Sequence, residues 1–491
     1  MRPLSFPILK KKALFPIILL IGITCFQASA QDEKKALSLG DCLQIALQNN
    51  LGLKSRNTAL ESSSLESIAA SALFDPAFTF NLYNSVNKTG GISLQDETTT
   101  GSETKSFAGN FEINKQLFSG DKWSLKFESG RSSSQLALTS GSQTAYQGQT
   151  TLSYTHPLLE GADSFINRSG ITIAELKAKQ DRMNRDDLTR QLKQQVTSTF
   201  FDTLKSEKAI EVAEIALKDA QTLLDSVKAR QQAGYIAAYD VMASESGLAS
   251  REENLLLAKT SYLNNVDSMK NLMGLSLIED VKFAGDLEPG THEIPAFDKA
   301  MDAAKENRPD LKALDFSLNA AEIQVEINKN RVMNTLALVG QVGLQGEDTS
   351  WSGALGGMNN PNWYLGLNYT MPLGGNREAV TRLRQAEFEL ESLKLSREDR
   401  IQNIKLEITQ ALRNIETAKE RVSVTQNGVN LQEEKLKMEK ARFELGLITS
   451  GDLLEFEADL ASARLRHIEA RADYLKAMSY LDFVTGLNWK K

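Results

Sequence analysis

Residues able to do chemistry are few and scattered. The three histidines, His156, His292 and His467, lie far apart and lack metal-ligand spacing, so each reads as a surface or loop residue. No HExxH, GxSxG or Walker motif occurs, which leaves metal-assisted hydrolysis, acyl transfer and nucleotide chemistry without their parts. The 11 Met are dispersed as well, so no soft-metal relay is indicated. The reading is of a protein that is not an enzyme, with no catalytic residue, cofactor or metal. What does stand out is a pair of turns, Arg230, Gly234 and Asp240 in one place and Arg442, Gly446 and Asp452 in another, with identical spacing. Gly suits the left-handed backbone that closes a helix. Asp240 and Asp452 then fit either favourable charge at the start of the next helix or docking of a partner. Thr449, three residues before Asp452, gives the second turn a capping-box-like start that Ala237 denies the first.

These turns must be held by long helices. Residues 167–232 and 376–445 contain no Pro and almost no Gly, and each stretch spans roughly 100 Å as a helix at about 1.5 Å per residue. Ile401, Ile404, Ile408, Ala411, Ile415, Ala418 and Val422 step by three and four, as do Ala213, Leu217, Ala220, Leu224 and Val227. That is coiled-coil spacing, and Ala at alternate steps leaves room for a second seam. After each turn a shorter helix returns, so two helical hairpins are expected.

The hairpins belong to a duplication. Ala46 to Lys54 matches Ala304 to Lys312 at an offset of 258, whereas Arg230, Gly234, Ile236, Asp240 and Glu245 match Arg442, Gly446, Ile448, Asp452 and Glu457 at an offset of 212. The first half is therefore longer by 258 − 212 = 46 residues. Pro157-Leu158 and Pro372-Leu373 occupy equivalent places, which puts nearly all of the insertion before Pro157. Residues 75–158 alternate apolar and polar side chains in four short runs: Phe78 to Val86, Phe107 to Leu117, Trp123 to Phe127, and Leu152 to Leu158. The second half has two, Leu336 to Leu344 and Trp363 to Met371. Six strands follow from that period of two. Alternation alone fits an antiparallel sheet lying on a core as well as it fits a membrane wall. Run lengths of about 9 to 11 residues, with Phe107, Trp123, Tyr146 and Trp363 at their ends, favour tilted transmembrane strands with an aromatic girdle. Residues 87–106 and 134–146 read as long external loops, and Phe118 to Asp121 as a short turn.

Composition agrees. Of 491 residues 41% are hydrophobic and 24% charged, which excludes a disordered or collagen-like chain. Arg2, Lys10, Lys11 and Lys12, the apolar run Ala13 to Ile23 and the small residues Ala28-Ser29-Ala30 form a secretory signal peptide, with cleavage expected before Gln31. Cys25 falls inside that signal, so Cys42 stands alone and no internal disulfide forms. The remainder carries 52 basic against 63 acidic residues, a net −11, which argues against a nucleic-acid partner.

With signal, duplicated halves, strand pairs between long helices, the ends Pro157-Leu158 and Pro372-Leu373-Gly374-Gly375, and paired Gly-to-Asp turns in place, the chain resembles the TolC-like outer-membrane efflux protein family over residues 37–489. The resemblance implies a mainly α fold with a membrane β-barrel portion: a homotrimer whose long antiparallel coiled-coil helices build a periplasmic α-barrel. It implies residence in the outer membrane and its lipid, extending into the periplasm. The role implied is a passive exit duct for a tripartite efflux or type I secretion system, with a periplasmic adaptor and an inner-membrane pump of RND, ABC or MFS type as partners. Arg230, Gly234, Asp240, Arg442, Gly446 and Asp452 would then lie at the periplasmic tips where the adaptor docks, and residues 275–300 in an equatorial belt. Domain organisation is expected as a signal at 1–30, a first repeat at 31–290 (strands in 75–158, helical hairpin 167–274) and a second at 291–491 (strands in 335–372, helical hairpin 376–486). One departure is expected: six strands per protomer instead of the usual four, hence 18 per trimer, with an external flap or plug as the other reading of the insertion. A coiled-coil structural or adhesive surface protein is the alternative function; it would lack membrane strands.

Overall fold

A computed structural model describes residues 36–89, 93–94, 97–98, 102–136, 142–290 and 294–487. The expected signal peptide, His292 and the last residues of the chain lie outside the described residues.

The chain runs α1 (Leu39–Asn49), α2 (Leu51–Ser71), a short 3-10 turn, β1 (Ala77–Thr89), β2 (Ser93–Leu94), β3 (Glu97–Thr98), β4 (Ser102–Gln116), β5 (Lys122–Leu136), β6 (Ser142–Pro157), α3 (Ser164–Gln232) and α4 (Ala238–Met273). The second half repeats the plan with α5 (Phe297–Asn307), α6 (Pro309–Val332), β7 (Thr335–Asp348), α7 (Trp351–Gly356), β8 (Asn360–Thr370), α8 (Arg377–Glu444) and α9 (Ser450–Thr485). Six strands form one antiparallel sheet in the order β1-β4-β5-β6-β7-β8. Among the described residues β4 and β5 thus extend the sheet within the protomer, while β2 and β3 pair only with each other in a separate two-stranded sheet. The strands are longer than the alternation suggested: 102–106 and 142–146, read as loop, belong to β4 and β6. Ser, Thr and Gln there keep the hydrogen-bond ladder after the apolar signal has faded. Residues 87–89 and 134–136 likewise belong to β1 and β5, 93–94 and 97–98 form β2 and β3, and the rest of those two loops lies outside the described residues.

Duplication is visible in the core. Cys42 and Ala300, Ala46 and Ala304, and Leu53 and Leu311, related by the first offset, are all buried. So are Leu192 and Ile404, Val196 and Ile408, Thr203 and Ile415, and Leu224 and Leu436, related by the second. All but Thr203, Leu224 and Leu436 belong to one cluster, formed by α1, α2, α3, α4, α5, α6, α8 and α9 around Phe200, Met269, Ile408 and Met478. A smaller cluster of Ala220, Leu223, Val227, Leu436, Phe443 and Leu453 lies nearer the helix ends. Burial of Leu223 beside Leu224 confirms two seams on α3. Cys42 is free and buried, and burial, aided by neighbouring Asp41, pushes its thiol up to about 12.

Where α5 meets α6, Arg308 is 0% exposed. It donates to Asp310 (2.9 Å), Glu407 (2.6 Å) and the Val484 carbonyl (3.1 Å), and Arg400 also reaches Asp310 at 2.7 Å. Burial works to raise the Asp310 carboxyl, but the hydrogen bonds and charges of Arg308 and Arg400 outweigh it and hold it well below the usual carboxylate range. A buried guanidinium is tolerable only with such partners.

Candidate functional site

Two regions, at opposite ends of the long helices, carry the surface chemistry. The first is the sheet. Register without a break means that side chains two apart share a face, so the pairing of neighbours sorts every strand. On one face Phe78, Ile113, Leu125, Leu152, Val342 and Trp363 form a continuous row. Beside it run Phe80, Phe111 and Phe127, the last two stacked with ring centroids 5.0 Å apart. This face is bare: Phe78 is 66% and Leu365 65% exposed. Toward the helices it ends at Trp123 and Tyr154, 4.5 Å apart; at the far end Tyr146 meets Trp351 of α7 at 5.3 Å. That short helix sits on the same face, with Leu355, Met358 and the Ala354 carbonyl against Gly148 and Gly346, where a Cβ would collide.

The opposite face is polar. Asn81 donates to Asn110 at 3.0 Å, Ser124 to Glu112 at 2.7 Å and Tyr83 to Glu128 at 2.9 Å, and Lys126 pairs with Glu128 at 2.6 Å. A sheet apolar on one side and hydrogen-bonded on the other has the pattern of a wall between lipid and water. The turn joining β4 to β5 is short as expected: Leu117 N–H donates to the Asp121 carbonyl at 2.8 Å, and Gly120 has φ +87°. His156 Nδ1 lies 2.5 Å from the Asp121 carboxylate, to which Tyr154 also donates. That histidine therefore staples a turn. His467 contacts Thr425 at 3.1 Å, and no group of three or more metal-capable side chains assembles among the described residues. Nor is any described helix long and apolar enough to cross a membrane.

The second region is the far end of both hairpins. α3 has 69 residues and α8 has 68, so this end lies roughly 100 Å along the helix from the sheet. Both turns close alike. Gly234 and Gly446 have φ +79° and +76°. Tyr235 N–H reaches the Arg230 carbonyl and Leu447 N–H the Arg442 carbonyl, while each Gly N–H bonds one residue further on, to Gln231 and Phe443. These are Schellman closures. Asp452 completes a capping box with Thr449: its carboxylate accepts from the Thr449 N–H at 2.9 Å and hydroxyl at 2.7 Å, and these bonds hold it below its ordinary pKa. Asp240 behaves differently. It lacks a cap partner on its own turn and instead accepts the Ser450 hydroxyl on both its backbone carbonyl (3.0 Å) and its carboxylate (3.2 Å).

Of the six residues singled out from the sequence, Arg230, Asp240, Gly446 and Asp452 line one cleft, with Arg230 donating to the Phe443 carbonyl at 3.2 Å and lying 4.9 Å from its ring. Arg442 turns away to Glu439 at 2.9 Å. Between the turns lies a cleft of about 650 Å³ lined by Arg230, Ile236, Asp240, Phe443, Ile448 and Ser450. Outside it Tyr235, Tyr239 and Leu445 are exposed. Sequence reading missed Ser450 and Phe443, whose partners are more than 200 residues away. It also missed the duplicated braces Lys228–Glu245 (2.9 Å) and Lys440–Glu457 (3.2 Å), which tie each long helix to its return helix. Their equal offset was the available signal.

Known proteins agree with this geometry. No curated protein matches the chain. Among solved structures, the Campylobacter jejuni CmeC outer membrane channel is similar over 92% of this chain and 86% of its own, at 15% identity and TM-score 0.70. The Vibrio cholerae outer membrane protein VceC is similar over 92% and 96%, at 15% identity and TM-score 0.67. The open-state Neisseria gonorrhoeae MtrE outer membrane channel is similar over 92% and 89%, at 16% identity and TM-score 0.66. At such identities the likeness speaks for the fold. A family model described as outer membrane efflux protein matches residues 122–275 and 300–487, most of the chain and both of its halves. Its first matched residue is the start of β5, and its two segments each contain one hairpin. The chain belongs to the outer membrane efflux protein family, a family of transport channels of the outer membrane.

Proposed function

We propose that three copies join the edges β1 and β8 to build a single wall of 18 strands, continued by a helical duct, and that this passage conducts solutes outward without chemistry of its own. The observation that carries this reading is the two-faced sheet with an edge strand at each end. Hydrocarbon does not tolerate unpaired backbone groups, so such a sheet must close, and an even strand count permits it. Barrel diameter grows about linearly with strand number, so 18 strands make a mouth roughly 1.5 times as wide as 12. The passage serves a tripartite efflux or type I secretion system: a periplasmic adaptor docks on the tips that carry Arg230, Gly234, Asp240, Arg442, Gly446 and Asp452, and an RND, ABC or MFS pump in the inner membrane supplies the energy. Exposed Tyr235, Tyr239 and Leu445 support docking there, as does the cleft beside them. Glu112 and Glu128 on the polar face bias the duct toward cations. Extraction with detergent as a trimer, followed by conductance in a planar lipid bilayer, tests the reading. A soluble monomer carrying no current would point instead to the coiled-coil surface protein.

A further inference from the structure

Resting on the reading of the apolar face as lipid-facing, the pairing of neighbours also fixes where charge sits on that face. On β4 the side chains of Lys115, Ile113, Phe111, Gly109, Phe107, Lys105 and Glu103 share it, through Ile113 to Phe78, Phe111 to Phe80 and Lys105 to Val86. Lys115 and Lys105 are ten residues apart. At about 3.3 Å per residue and a tilt of about 40°, that is roughly 25 Å along the membrane normal, the height of the apolar band of such walls. The two lysines therefore mark the two interfaces. Lys115 stands opposite Trp123 beside the turn at the helical end. At the other, outward end, three cations occupy neighbouring strands: Lys88 on β1, Lys105 on β4 and Arg131 on β5.

Arg131 faces Phe107 on one side and Tyr146 on the other, its guanidinium 5.9 Å from the Tyr146 ring. Lys105 and Lys88 share one carboxylate, Glu103, at 3.2 and 3.7 Å. Among the described residues these three cations have that one carboxylate between them, spread over two strand spacings, about 10 Å across the sheet, and over four positions of register, about 13 Å along the strands. Among the described residues of the sheet Asp348 on β7 is a second carboxylate on this face and at this end; it stands opposite Tyr146 and receives the Ser350 N–H and hydroxyl that start α7, which leaves the patch one positive charge in excess. Aromatic rings below and cations above, continuous with a lipid-facing band, match an anionic headgroup over its acyl chains.

We propose that Lys88, Lys105 and Arg131 form a binding site for the phosphate groups of a phosphorylated lipid of the outer leaflet, and that the inserted hairpin β4–β5 supplies two of its three cations. The occupant is a lipid and not free phosphate, because the site opens sideways from the apolar band and its aromatic neighbours need acyl chains to cover them.

The test uses the full-length protein, extracted in non-ionic detergent, exposed to bisphosphorylated lipid A or to phosphatidylcholine, and assayed by native mass spectrometry for retained lipid. Wild type should retain lipid A in preference to phosphatidylcholine, and millimolar inorganic phosphate should not displace it. The triple variant K88Q/K105Q/R131Q should lose about tenfold or more of that retention, while K88R/K105R/R131K keeps it within about twofold. Planar-bilayer conductance is measured on the same preparations. If the charge-neutral triple variant conducts like wild type yet holds lipid A equally well, or if phosphatidylcholine is retained as strongly by wild type, the site is refuted and the wall stands. If wild type neither inserts nor conducts, the wall itself falls and the site with it.

Discussion

The Arg308 guanidinium donates to the Val484 carbonyl at 3.1 Å, and the Asn50 amide donates to the Leu272 carbonyl at the same distance. Residues 50 and 308 differ by the first repeat offset, and 272 and 484 by the second. One joint, made where a short N-terminal helix meets the end of a return helix, has thus been kept in both halves with different side chains. In the second half it has become ionic, drawing in Asp310, Glu407 and Arg400.

Removing a partner from a buried ionic joint leaves an uncompensated charge. Arg308→Ala is expected to destabilise the protein by about 3 kcal/mol, read as a fall in the denaturant midpoint. Because the folded Asp310 pKa is depressed, its contribution is complete above the ordinary value of 3.8 and is lost as pH falls through that value toward the folded one. In Asp310→Asn that acid-side decline should flatten; an unchanged slope would show that the carboxylate is not the group responsible.

Glu457 gives the opposite sign. Burial raises its pKa, with Lys440 at 3.2 Å partly opposing. Its favourable contribution is present below the ordinary 4.5 and disappears as pH rises through the raised folded value. Glu457→Gln should therefore be more favourable to stability at pH 8 than at pH 4. A thermal midpoint that moves equally at both pH values would contradict the assignment.

The left-handed glycines fall into two classes. A Cβ on Gly234 or Gly446 meets nothing within 4 Å, whereas on Gly274 it comes within 2.7 Å of the Asn49 carbonyl oxygen and on Gly486 within 3.1 Å of Asn307. Ala at the turns should cost only the backbone strain of about 1 kcal/mol. Ala at position 274 adds overpacking, for a total of about 3 kcal/mol. Equal losses by urea titration would mean that the clash relaxes.

Cys42 should resist thiol reagents. Raising the thiol from 9.0 to about 12 lowers the thiolate fraction near neutral pH roughly a thousandfold, so modification in the native protein should be slower than in urea by at least that factor. Comparable rates would expose an open core.

The sheet's two faces should respond differently. Phe111→Lys places a charge on the apolar row and should cost about 2 to 4 kcal/mol in lipid, seen as poor trimer recovery. Glu128→Gln should leave recovery intact and shift the reversal potential of a bilayer recording toward anions. Equal loss of recovery from both substitutions would deny that the faces differ.

Much of this was legible in the sequence because it was repeated or periodic. Paired Gly-to-Asp turns, two helix seams and six alternating runs each announce themselves within a few residues. What stayed hidden rests on long-range or non-periodic information. Nothing near Arg308 foretells Glu407, 99 residues away. The six-residue α7, rich in Gly and Ala, has no period to read. The strand ends in Ser, Thr and Gln carry ladder hydrogen bonds that composition presents as loop.

Phe200 sits in the main core and Gly234 at a helix end, 34 residues further along a nearly unbroken α3. That segment is a stiff arm of about 50 Å. A pivot of about 5° at the core therefore swings the turn by roughly 4 Å, more than the length of either polar bond between the two turns. Leverage of that size lets a slight rearrangement near the middle of the molecule unfasten its end.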